Sequence, residues 1–241
     1  MKSRQITIYK AFGDLINPMP ADKSAFGSLP ASAFQYCEAV RVASAYGYYV
    51  FSPASFVLSF DGHQIFTKEE DGSYSPLTAK FFDDDQWADW VEKVPGSLSQ
   101  SRIPYISTIS VPGYVQLWSG FFVKTSPGVS TIVRPVVNYN YTQLYTCMEG
   151  IVATDEFAPK PLFVQLKINK TDVDIGFSRN SVVFQFQPID SSCYVDYSLV
   201  VDEGFDGFYG LSHLRDSMYS NLEPRSTVGS YAAKVRKSNK K

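Results

Sequence analysis

Between Ile103 and Pro188 the chain repeats one pattern: a short run rich in aromatic and β-branched residues, then a Gly, Pro or polar turn. IPYISTISV, YVQLWSGFFVKT, STIVRPVVN, GIVATDEF, LFVQLKI, VDIGF and VVFQFQP follow one another at close spacing. Such side chains pack well on a pleated surface and the punctuation sets strand length, so the segment reads as many short antiparallel strands. Pro104, Pro112, Pro127, Pro135, Pro159 and Pro161 stand at run ends or at positions that suit an edge. Helices do not alternate with these runs, which argues against a dinucleotide-binding α/β fold. The expected fold is mainly β, a single closed or two-layered antiparallel domain such as a sandwich or jelly roll, with one helix near each end. An aromatic content of 15% agrees with that class.

The flanking segments supply the helices. Gln5–Phe12 alternates as a first strand, and residues 17–30, with three prolines, form an irregular stretch. Ser32–Tyr46 has helical spacing, with Ser32 as cap and Phe34, Cys37, Val40 and Ser44 along one stripe, and Gly47 stops it before YYVF. In SFVLSF-DG-HQIFT, two apolar runs flank Asp61-Gly62, which predicts a type I′ hairpin with Gly62 at positive φ. Asp83–Asp85 precede a short helix whose buried stripe is Trp87, Trp90, Val91 and Val94. Ser191–Val201 reads as a further strand and Phe208–Leu222 as the C-terminal helix. The expected organisation is one domain over 1–225 and a basic tail over 226–241.

At 241 residues the chain suits one large domain or two small ones. Its 22 Lys and Arg against 24 Asp and Glu argue against a nucleic-acid binder, and no apolar run reaches the length of a membrane-spanning helix. Three scattered cysteines, Cys37, Cys147 and Cys193, give no disulfide framework or thiolate zinc spacing, and fit a reducing cytoplasm. With only His63 and His213, a three-histidine metal site is impossible, and no metal or cofactor is assigned. GxSxG, HExxH, P-loop and GxGxxG motifs are all absent.

Chemistry is therefore sought in the central polar residues. Arg134, between STIV and PVVN, has apolar neighbours and needs either a carboxylate partner, Glu149 or Asp155, or an anionic ligand. Glu149, Asp155 and Glu156 are the candidate acid–base residues, brought to one side if Gly150 forms a bulge. Arg134, Asn138, Trp118 and His63 are the candidate ligand contacts in an aromatic-lined pocket.

Two resemblances accompany these motifs. LPASAFQYCEAVRVASAYGYYVFSP, the aspartate-glycine hairpin, GYVQLWSGFFVKTSPG, RPVVN and GIVATDEF resemble a bacterial family known mainly as a domain of unknown function. Thr125, Pro127, Gly128, Pro135, Asn138, Gly150, Thr154 and Asp155 match its pattern, and Glu156 departs from it where the family tends to carry Trp. Over a shorter stretch, GIVATDEF to VVFQFQPI is similar in rhythm to the β-clip dUTPase and dCTP deaminase superfamily. Gly150, Asp155, Phe157 and Gln185 fall near its positions, whereas Ala153 replaces its first aspartate and no arginine-serine-serine motif precedes it. The reading that emerges is a cytoplasmic bacterial protein that binds or acts on a small polar or anionic metabolite, as in specialised biosynthesis. The alternative is a non-catalytic oligomeric or binding module, and a third reading is a nucleotide hydrolase using Asp155 or Glu156 with magnesium.

Overall fold

In the computed structural model the chain is described over residues 5–93, 102–139, 143–156, 159–194, 198–199, 201 and 237. Its frame is three antiparallel sheets. Sheet A is built on one long strand, β9 (Tyr114–Thr125), paired along one side with β13 (Lys160–Ile168), which in turn pairs with β11 (Tyr145–Cys147). The other side of β9 is shared: β8 (Ile106–Thr108) pairs with its first half and β1 (Ile6–Lys10) with its second. The short β7 (Ala79–Lys80) extends β8. Gly120, at φ +79°, sits between the two halves, and a Cβ there would meet Leu15 Cδ1 at 2.5 Å. Glycine lets the strand turn where its partner changes.

Sheet B runs in the order β12 (Gly150–Val152), β10 (Val129–Arg134), β15 (Val182–Asp190), β3 (Tyr48–Phe51), β2 (Met19–Pro20). Sheet C is the hairpin β4 (Phe56–Phe60) and β5 (Ile65–Lys68), with β14 (Ile175–Phe177) on one side and β6 (Tyr74–Pro76) on the other. The protein is thus mainly β, with layered open sheets in place of a closed barrel.

One hydrophobic core joins all three sheets. Trp118 is fully buried in it, with Phe12, Phe82 and Phe122 packed edge-on around its ring. Leu117–Val123 is buried throughout, because both faces of β9 are covered. Helix α3 (Asp84–Lys93) covers one of them, with the Trp90 ring stacked 5.3 Å from Phe122. Trp87 and Trp90 are buried as predicted, but Val91 is 39% exposed, and Val94 lies outside the described residues.

Other expectations are revised. The predicted helix over 32–46 is two helices, α1 (Ala31–Tyr36) and α2 (Glu38–Ala45), because Cys37 adopts an extended conformation at φ −108°, ψ 93°. Pro30, not Ser32, precedes the first turn, and the stripe is not buried: Ser44 alone among the helical residues is. Gly47 does end the helix, at φ +105°. In the hairpin only Gly62 takes positive φ, at +98°, whereas a type I′ turn needs it at both central residues. The Asp61 carboxylate accepts the backbone N–H groups of His63 and Gln64 at 2.7 Å each. Those bonds hold its carboxyl below the usual carboxylate range. Ser191–Tyr194 is a 3₁₀ turn, where a strand was expected. The predicted C-terminal helix with His213, and the tail apart from Lys237, lie outside the described residues.

Candidate binding cleft

The residues singled out as a polar cluster do not form one site. Arg134 and Gly128 bracket β10, so their surroundings are about 20 Å apart. At one end Arg134 Nη2 pairs with Glu149 at 3.1 Å, and Nη1 donates to Gln187 Oε1 at 3.3 Å. The expected pair therefore forms, but its side chains are 34% and 48% exposed, not buried. At the other end the Asp155 carboxylate accepts the Gly128 N–H at 2.8 Å. Gly150 pairs with Val133 in unbroken register, so the bulge that would have gathered the acids is not there. Glu156 is exposed.

Asp155 belongs instead to a turn clamp. Thr125 N–H donates to Thr154 O, the buried hydroxyls of Thr125 and Thr131 both reach the Thr154 hydroxyl, at 2.7 and 2.9 Å, and Thr125 Oγ1 also donates to Val129 O. Asn138 sits in the left-handed region at φ +60°, and its amide donates to Ser44 Oγ at 2.9 Å and Val40 O at 3.3 Å. Trp118 has no exposed surface and gives its indole N–H to Phe121 O at 3.0 Å, so it is a core residue with no face for a ligand. His63, at the hairpin tip, is exposed beside a shallow cleft of about 330 Å³ that Thr78, Thr108 and Ser110 also line. Among the described residues no group of three His, Cys, Asp or Glu side chains is placed to hold a metal ion. Nor is any helix among them long and apolar enough to cross a membrane.

The glutamines of β15, which are not among the expected site residues, complete the polar side of sheet B. Gln185 is fully buried, accepts the Val137 N–H at 3.0 Å and donates to Tyr46 O at 2.6 Å. Gln187 donates to the same carbonyl at 2.6 Å, and the Tyr46 hydroxyl donates to Pro188 O. Together they fasten the end of α2 across the sheet.

Aromatic groups converge on the opposite face. Side chains alternate along β1, so Ile6, Ile8 and Lys10 share a side and Lys10 lies directly across from Phe121. Facing them from sheet B are Tyr48 and Phe186, paired across strands with rings stacked at 5.3 Å and 20°. Between the two sheets these residues, with Asn17 and Pro18, line an open cleft of about 350 Å³. A neighbouring hollow of about 300 Å³, bounded by Gln5, Tyr46 and Pro188, shares Ile6 and Tyr48 with it. Phe121 and Phe186 are buried while Tyr48 is 37% exposed, so the stack has a solid floor and an open lip. Lys10 is exposed at the mouth, and no acid among the described residues pairs with it. Cations at such a position attract anions, and the aromatic walls offer flat apolar surface.

No protein-family model matches the chain, and no curated protein matches it.

Proposed function

We propose that this protein is a binding module, and that its site is the aromatic cleft between sheets A and B, which takes a small ligand with an apolar body and an anionic group. One observation carries the reading: the Tyr48–Phe186 stack and Phe121 line a hollow of about 350 Å³ with Lys10 at its mouth. That volume lies at the small end of the range for metabolite sites. The reading favours binding over catalysis, since the carboxylates proposed for acid–base work are at separate ends of β10 and those of Glu149 and Asp155 are already hydrogen-bonded or ion-paired.

Saturation-transfer NMR with 3-phenylpropionate tests it. The anion should bind, its neutral amide about fivefold or more weaker, and Tyr48→Ala should remove the signal while Arg134→Met leaves it intact. Binding that ignores Tyr48 and Lys10, or no binding of either probe, would overturn the proposal.

A further inference from the structure

The cleft runs along β1, and among the described residues nothing bonds to the main-chain groups on its outer edge. Antiparallel strands point the N–H and C=O of alternate residues to opposite sides. Just before β1 the Gln5 carbonyl accepts from Ser126 N–H and just after it the Ala11 N–H donates to Gly120 O, each at 3.0 Å. The register continues from these through Thr7↔Lys124 and Tyr9↔Phe122, so the odd-numbered residues bond to β9. The N–H and C=O of Ile6, Ile8 and Lys10 therefore point away from β9, and no strand among the described residues pairs with that edge. These are the same three residues whose side chains line the cleft.

We infer that the ligand is a peptide segment in extended conformation, added antiparallel to β1 as a further strand of sheet A. This deepens the binding reading above and rests on it. Strand addition needs a row of free donors and acceptors for affinity, and pockets at alternate positions for specificity. Both are present here: six main-chain groups along Ile6–Lys10, and two adjoining hollows that share Ile6.

The register follows from the alternation. Peptide residues opposite Lys10, Ile8 and Ile6 turn their main-chain groups to β1 and their side chains into the cleft. An acidic residue opposite Lys10 satisfies its charge. Two positions later, an aromatic residue opposite Ile8 meets the Tyr48–Phe186 stack. Two positions further, an aliphatic residue opposite Ile6 enters the second hollow. The recognised chemistry is acidic-x-aromatic-x-aliphatic, read from N- to C-terminus.

The test uses the full chain and acetyl-Glu-Thr-Phe-Thr-Leu-amide, with binding measured by titration calorimetry. N-methylation of the Phe nitrogen should weaken binding by about tenfold or more, roughly the loss of one main-chain hydrogen bond and of close approach. N-methylation of either Thr, whose N–H points away from β1, should change it less than about threefold. Lys10→Glu should abolish binding of this peptide and restore it for the version with Lys in place of Glu. Equal sensitivity to methylation at Phe and Thr overturns strand addition. If 3-phenylpropionate binds in a Tyr48-dependent way and the peptide does not, the cleft stands as a site and the peptide inference fails. If neither binds, both fail.

Discussion

Sheet B treats its two faces in opposite ways, and β15 shows it within four residues. In Phe184–Gln187 the aromatics turn inward, and Phe186 forms the floor of the cleft. Gln185 and Gln187 turn outward, and their amides are engaged by Tyr46 O, the Val137 N–H and Arg134. The outer face carries most of the sheet's conspicuous polar chemistry, and there the side chains that look reactive already hold helices and loops in place. The inner face is chemically plain, yet the facing edge of sheet A brings it a lysine and main-chain groups that no described residue pairs with. Polar residues near strand ends are drawn into the fold's own hydrogen bonds, because buried donors and acceptors left unmet cost about 1–3 kcal/mol each. The groups left over are a better guide to binding than the groups that are most charged.

The largest way to break this contrast is Gly47→Ala. At φ +105° a side chain is strained, and the new Cβ would run into the Phe186 carbonyl and lie 2.6 Å from Gln187 Cγ. Since those are β15 atoms, the α2–β3 turn would have to lift off the sheet. We expect a loss of about 3 kcal/mol or more, measured by denaturant unfolding. Gln185→Leu comes next, at about 1–3 kcal/mol, because the half-buried Val137 N–H loses its acceptor when the fully buried amide is removed. A loss below about 0.5 kcal/mol there would mean that the outer network is decoration.

Much of this frame was legible in the chain. Aromatic and β-branched runs marked the longer strands of all three sheets but not the short β2, β6 and β7, Asp61-Gly62 marked a hairpin, and Gly47 marked a helix end. Thr125, Gly128, Thr154 and Asp155, all singled out in the chain, build one turn clamp. The site was less legible for three reasons. Strand pairing decides which acids share an end, and sequence spacing put Glu149 and Asp155 closer in mind than β10 puts them in space. The break at Cys37 follows no Pro or Gly signal. Free edges are a property of pairing partners, so nothing in QITIYKAF distinguishes an edge strand from a central one. The FQFQ alternation of β15 was the one signal that could have exposed the outer glutamines.

Tyr48→Ala sharpens the comparison from the inner side. The ring contributes a stack on Phe186 but is 37% exposed, so its loss should cost only about 1–2 kcal/mol of stability while removing binding. A thermal melt and the NMR titration on the same sample separate the two effects. Were stability to fall as far as in Gln185→Leu, the cleft would be part of the core.

The smallest expected effect concerns the residue whose charge drew most attention. If Arg134 were buried against Glu149, removing one partner would strand a charge and cost about 3–5 kcal/mol. At 34% and 48% side-chain exposure, water solvates whichever partner remains. Exposed pairs of this kind contribute about 0–1 kcal/mol and weaken as salt screens them. A double-mutant cycle with Arg134→Met and Glu149→Gln should therefore give a coupling below about 1 kcal/mol, falling further at high salt. Arg134 also donates to Gln187, so the arginine variant should cost slightly more than the glutamate variant. A coupling above about 2 kcal/mol that resists salt would mean the pair is desolvated by something packed over the outer face. The division of sheet B into a self-satisfied outer side and an open inner side would then be wrong.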